Sequence, residues 1–231
     1  MDKTRYAFLT LPNYSLIAVT NALEVLRMAN RVAGRDIYEW SLASLDGRPV
    51  PASSGLELSP TVALDKVGKV EILFVCGGID VRGAVSNALV AALRRLGERR
   101  VGLGALCTGG YALARAGLLD NYRATIHWEN LPALREEFPR VQLNNQVFSI
   151  DRDRYTASGG TAPLDLMLNL IQLKHGLRIS QQVSEQFVLE RVRSDRDRQY
   201  VPLRAQVGSS HGNMIRIAQL MEENIEKPLS V

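Results

Sequence analysis

With 231 residues, 46% hydrophobic and 23% charged, the chain has the size of one large domain, or of one domain with a small appendage. That is enough to bury a core without disulfides or metals, and no stretch approaches the roughly 20 apolar residues of a membrane span. Two cysteines, Cys76 and Cys107, are too few for a disulfide scaffold, and three histidines without clustered spacing argue against a metal site. The net charge is +4, with 28 Lys and Arg against 24 Asp and Glu. Much of the positive charge is interleaved with acids, as in residues 191–198, which reads as a solvated surface rather than a nucleic-acid footprint. Residues 1–5 lack a signal-peptide layout, so a cytoplasmic protein is expected.

In chain order, Tyr6-Ala7-Phe8-Leu9-Thr10-Leu11 is an apolar run of strand length, broken by Pro12-Asn13-Tyr14. Leu16, Val19, Leu23 and Leu26 then recur at helical spacing. Residues 39–45 alternate as a strand and turn at Asp46-Gly47. Residues 70–76 read as a buried strand stopping at Gly77-Gly78, residues 84–99 as a helix, and residues 100–106 as another strand. A helix over 109–116 ends at Gly117, and a hairpin is expected over 148–157. Strong helices follow over 161–175, closed by Gly176, and over 180–193. Strands alternating with helices imply an α/β fold, with a mostly parallel sheet covered on both faces. Residues 194–210 read as a linker, and 213–226 as one further amphipathic helix.

The sharpest chemical feature is Gly104-Ala105-Leu106-Cys107-Thr108-Gly109-Gly110, a strand running into Cys107 and a helix leaving at Gly109. This is a nucleophile-elbow pattern with a thiol in place of a hydroxyl. The free N–H groups of the helix start are expected to lower the thiol pKa and to attract anions. His127 follows twenty residues on, at the end of a short apolar run expected to be a strand reaching the same sheet edge. Cys plus His is the minimum for thiolate chemistry. Gly77-Gly78 and Gly159-Gly160 add glycine turns at strand ends, where open α/β sheets bind ligands. Neither pair forms a nucleotide-binding motif, so no cofactor is expected.

Cys107, His127 and Ser158-Gly159-Gly160-Thr161 together resemble the class I glutamine amidotransferase-like (PfpI-type) superfamily. The resemblance implies a flavodoxin-like three-layer αβα sandwich. Further motifs are similar to one branch, the sensor domains of AraC/XylS-family transcription regulators: Leu23-Glu24-Val25-Leu26, Val75-Cys76-Gly77-Gly78, His127-Trp128-Glu129, Ala162-Pro163-Leu164-Asp165 and Val201-Pro202-Leu203-Arg204. Within that branch the chain looks most like regulators responding to glycine betaine, carnitine or arginine. The resemblance implies a sensing domain over 1–193, a linker over 194–210, and over 211–231 the first helix of a helix-turn-helix domain whose remainder lies beyond this chain. DNA would be contacted by that remainder, and a homodimer is expected, with the helices at 161–175 and 180–193 as candidate dimer surfaces.

Superfamily enzymes carry an acid on the first helix close to the cysteine; that position falls at or near Ala18, and Glu24 is nearly two turns away. The residue after Cys107 is Thr108, where protease-type members have histidine. The expectation is therefore binding without catalysis. A small zwitterion would place its carboxylate on N–H groups around Cys107, Thr108, Gly109 and Gly78. Its cationic end would meet the faces of Trp128 and Tyr14, with Glu129 adding charge complementarity and His127 at the same site. The alternative is a cysteine-dependent hydrolase or hydratase with Cys107 as nucleophile and His127 as base.

Overall fold

The computed structural model describes residues 3–99 and 101–201, together with Arg216, Ile217, Leu220, Met221 and Asn224. The chain divides into two compact units, Met1–Arg198 and Gln199–Val231.

The first unit opens with β1 (Thr4–Thr10), α1 (Leu16–Ala33), β2 (Tyr38–Ser44), β3 (Thr61–Ala63) and β4 (Ile72–Cys76). The expected helix at 84–99 is two helices, α2 (Val81–Ala84) and α3 (Asn87–Gly97). They separate because Ser86 caps α3, its hydroxyl accepting the Leu89 N–H at 3.2 Å. Then come β5 (Gly102–Leu106), α4 (Gly110–Arg115), β6 (Arg123–Ala124), α5 (Leu131–Glu137), β7 (Gln142–Leu143), β8 (Phe148–Asp151), β9 (Arg154–Ala157), α6 (Ala162–His175) and α7 (Leu177–Gln186).

Seven strands form one sheet in the order β3-β2-β1-β4-β5-β9-β8. Every pairing is parallel except the β8–β9 hairpin. Side chains alternate across the strands and fill two cores. Tyr6, Phe8, Phe74, Cys76 and Leu106 meet the helices α1, α6 and α7 on one face. Ala7, Leu9, Leu73, Val75, Leu103 and Ala105 meet α3, α4 and α5 on the other. The fold is thus the expected αβα sandwich.

From β1 the strand order runs one way to β2 and β3, then reverses through β4 to β5 and β9. The switch lies between β1 and β4. At such a point the loops leaving the carboxyl ends of neighbouring strands diverge and leave a crevice. The loops after β1, β4 and β5 carry Ser15, Gly78 and Cys107 to that crevice.

Two expectations are corrected. Residues 125–127 form no strand. Only Arg123–Ala124 is extended, in a separate two-stranded ribbon with β7. The last helix covers Leu177–Gln186 rather than 180–193. It stops because Val188 takes a φ of 53°, a left-handed conformation that a β-branched residue rarely adopts and that no right-handed helix accommodates.

In the second unit Arg216, Ile217, Leu220 and Met221 are helical, and the Asn224 amide donates to the Leu220 carbonyl at 2.8 Å. The rest of the helix expected over 213–226, and linker residues 202–210, lie outside the described residues.

Candidate functional site

β5 delivers the thiol. Its last residue, Leu106, is followed by Cys107 at φ 58°, so the chain doubles back into α4 on a non-glycine left-handed residue. Such a conformation costs on the order of 1–2 kcal/mol and persists only where neighbours over-determine it. Here they do. The Leu106 carbonyl accepts the N–H groups of both Gly77 (3.2 Å) and Gly109 (3.0 Å). The Thr108 hydroxyl donates to the Gly78 carbonyl at 2.7 Å. A Cβ on Gly109 would lie 2.0 Å from the Val75 carbonyl oxygen, so only glycine lets the turn seat against β4.

His127 reaches the same place from a loop. Its N–H donates to the Cys107 carbonyl at 3.3 Å, and the Thr125 N–H two residues earlier donates to the Thr156 hydroxyl at 2.9 Å. Gly159 sits behind both functional groups. A Cβ there would lie 2.4 Å from His127 Cδ2 and 3.3 Å from Cys107 Sγ, so the bare glycine backbone lets imidazole and thiol pack side by side against this loop.

Over this corner lies a pocket of about 320 Å³. Ser15, Ser53, Gly78, Ile79 and Asp80 line one part of it; Cys107, Thr108, His127, Glu129 and Asn130 line the other. The predicted residues Cys107, Thr108, His127, Glu129 and Gly78 therefore come together. Gly109 lies behind the pocket, its N–H spent on Leu106. Tyr14 is 1% exposed, its ring in the core under α1. Trp128 is half-buried, packed on the α3–α5 face, its ring 5.6 Å from that of His127. Neither aromatic ring lines the pocket. Ala18 is buried among apolar neighbours, and Glu24 pairs with Arg27 at 2.7 Å.

Electrostatics reverse one expectation. The Cys107 thiol, 8% exposed, has its pKa pushed up to about 11. Burial is the main cause, and the Thr108 N–H and Ser15 hydroxyl only partly offset it. Six residues of α4, with one N–H already bonded, supply too little dipole to outweigh desolvation. Burial also lowers the His127 pKa, opposed by Glu129, whose Oε2 is 3.7 Å from Nδ1. At neutral pH the corner holds a thiol and a neutral imidazole.

Ser15, Ser53, Ile79, Asp80 and Asn130 are lining residues that sequence reasoning missed. A signal existed for two. Ser15 follows β1 and Asp80 follows β4, and strand carboxyl ends at a switch point are where ligands bind. Ser53 sits in an irregular loop and carries no such mark. Among the described residues, no cluster of three or more His, Cys, Asp or Glu could hold a metal, and no helix is long and apolar enough to cross a membrane.

The DJ-1/PfpI family pattern matches residues 5–173. The HTH-type transcriptional regulator GbdR of Pseudomonas aeruginosa is 46% identical over 97% of the chain, which spans 61% of GbdR's length. The HTH-type regulator ArgR of the same species is 39% identical over 98% of the chain and 68% of its own length. The isonitrile hydratase of Pseudomonas putida is 28% identical over 78% of the chain and 75% of its own. The crystal structure of an AraC family transcriptional regulator from Pseudomonas putida superposes with a TM-score of 0.73 at 32% identity, covering 80% of this chain and 99% of that one. The chain belongs to the DJ-1/PfpI family, and HTH-type transcriptional regulators are among its relatives.

Proposed function

We propose that this chain is the effector-sensing part of a transcription regulator, taking up a small zwitterionic metabolite over Cys107 without turning it over. The carrying observation is a small pocket lined mostly by polar residues around a thiol that stays protonated at neutral pH, in a chain whose relatives include regulators. The hydroxyls of Ser15 and Ser53, the Asn130 amide and the Thr108 N–H offer donors to a carboxylate. Asp80 and Glu129 offer charge to the cationic end, and neither is ion-paired with a lysine or arginine among the described residues. Carboxylates take the part first assigned to the rings of Tyr14 and Trp128. In this reading the protein works in the cytoplasm as a homodimer, and a helix-turn-helix portion beyond residue 231 contacts DNA.

A panel of glycine betaine, dimethylglycine, carnitine and arginine tests the reading by thermal shift. A ligand at 100 times its Kd adds about 2.7 kcal/mol, which for a chain of this size raises Tm by roughly 5–10 °C. Glu129→Gln or Asp80→Asn should weaken the binder about tenfold while leaving Tm without ligand unchanged.

The second reading, a cysteine-dependent hydratase or hydrolase, is favoured by the thiol and imidazole lying together against Gly159 and by the likeness to isonitrile hydratase. It requires an activated thiolate. Alkylation of Cys107 should instead keep accelerating about tenfold per pH unit through pH 10. A plateau below pH 8, or turnover of an isonitrile or amide that Cys107→Ala abolishes, would overturn the sensor reading.

A further inference from the structure

Residues 191–198 end the first unit, and polar contacts fix them. Arg193 grips Asp165, on the first turn of α6, with Nε at 2.8 Å and Nη2 at 2.6 Å from Oδ2, while its own N–H donates to Oδ1 at 2.8 Å. Asp165 is 3% exposed. Arg193 Nη2 also donates to the Thr161 hydroxyl at 2.7 Å, and the Asn169 amide holds the Arg193 carbonyl at 3.3 Å. Four residues on, the Asp197 carbonyl accepts the Val147 N–H at 2.9 Å.

Traced the other way, both anchors lead to the site. Thr161 closes the loop Ser158-Gly159-Gly160-Thr161, and the Ser158 N–H donates to the Val147 carbonyl at 2.9 Å. Between them, Gly159 abuts His127 and Cys107. The exit segment is thus tied at two points to the loop that backs the thiol and the imidazole. An ion pair whose carboxylate is buried contributes little net stability compared with apolar packing of similar volume, but the three hydrogen bonds from Arg193 fix one geometry. Its placement here makes sense as a register between two elements.

We propose that Asp165 and Arg193 are positioning residues that couple the pocket to the segment leaving for the second unit. An occupant that shifts Cys107 or His127 presses on Gly159. The loop and first turn of α6 move with it, and the Asp165–Arg193 fork carries the displacement to residues 193–198. The inference rests on the sensor reading and gives it a route. Coupling of this kind is reciprocal, so loosening the fork also alters the pocket.

The test uses a covalent occupant, so it does not depend on which metabolite binds. Iodoacetamide alkylates Cys107, and amide hydrogen exchange is followed by mass spectrometry, with Cys107→Ala as the control for Cys76. Exchange over residues 191–198 should change at least fivefold on modification, while the β2 amides stay constant. In Asp165→Asn that segment should exchange fast from the start and gain nothing from modification. Arg193→Lys, which keeps the charge and loses the fork, gives the same comparison if the first variant folds poorly. A response confined to residues 127–130, or equal responses in parent and variants, overturns the proposal. No thermal shift with the metabolite panel but a transmitted response removes the ligand reading and leaves the coupling; a shift without transmission does the reverse.

Discussion

The two ends of the parallel sheet are built to different rules. At the amino ends, charges are matched. Lys3 pairs with Asp36 at 2.8 Å, Arg5 with Glu39 at 3.0 Å, and Lys174 with Glu71. At the carboxyl ends of β1, β4 and β5, Asp80 and Glu129 face a pocket without a lysine or arginine partner among the described residues, and Asn13, Asp80 and Cys107 all take left-handed backbone conformations. One end pairs its surface charges; the other sets two carboxylates and a left-handed cysteine around a pocket. Left-handed residues occur at the amino ends too, at Asn121 and Arg152, so it is the gathering of Asp80 and Cys107 with Glu129 in one pocket that marks the carboxyl ends as the working end.

The largest expected effect comes from breaking the working end. In Gly109→Ala the added methyl meets the Val75 carbonyl, a backbone atom that cannot step aside. A loss of about 3 kcal/mol is expected, a fall in Tm of roughly 6–12 °C, read by thermal or urea unfolding. An unchanged Tm would show that the elbow is loose.

A pH titration sharpens the comparison, because each end holds one half-buried histidine. His127 and His175 both have pKa values lowered mainly by burial, so their neutral forms belong to the folded state. As pH falls below about 6.5 the unfolded chain takes up protons first, and stability drops before the carboxylates titrate. Tm should therefore decline between pH 7 and 5. His175→Phe should flatten that decline at the amino end, since His175 Nε2 is buried without a hydrogen-bond partner and its ring already packs edge-on against Tyr38. A decline as steep as the parent's would count against His175.

The smallest effect should come from the matched end. Both partners of the Arg5–Glu39 pair are more than half exposed, and Arg5→Ala should move Tm by less than about 2 °C. A larger fall would mean that the amino end contributes more than surface ion pairs ordinarily do.

Much of this fold was legible in the sequence because buried strands announce themselves. The runs at Phe8, Phe74 and Leu103 are apolar on both faces, as a sheet covered by helices on both sides requires. The cysteine elbow was legible because a sharp strand-to-helix turn needs small residues around it. His127 was placed correctly and its strand wrongly, since Ala124-Thr125-Ile126 is too short a run to distinguish a strand from a loop tied down by hydrogen bonds to Cys107 and Thr156. The end of α7 was hidden because a polar periodicity carries no sign of a left-handed residue at Val188. The raised thiol pKa was out of reach altogether. It depends on how much of Cys107 the rest of the fold covers, and no local motif encodes that.

The outermost strand β3 has a further consequence, for solubility. It is three residues long and follows Pro60, which has no N–H to donate. At the opposite border, β8 is flanked by the β6–β7 ribbon and by residues 197–198, which bond to Val147 and Gln146 just ahead of it. β3 covers Leu42–Ser44 of β2 and leaves Tyr38–Ser41 without a strand partner on that side among the described residues, so a second chain finds only a short ladder to extend. Copies of this protein are thereby steered away from strand-to-strand aggregation and left with their helical surfaces for any association they make.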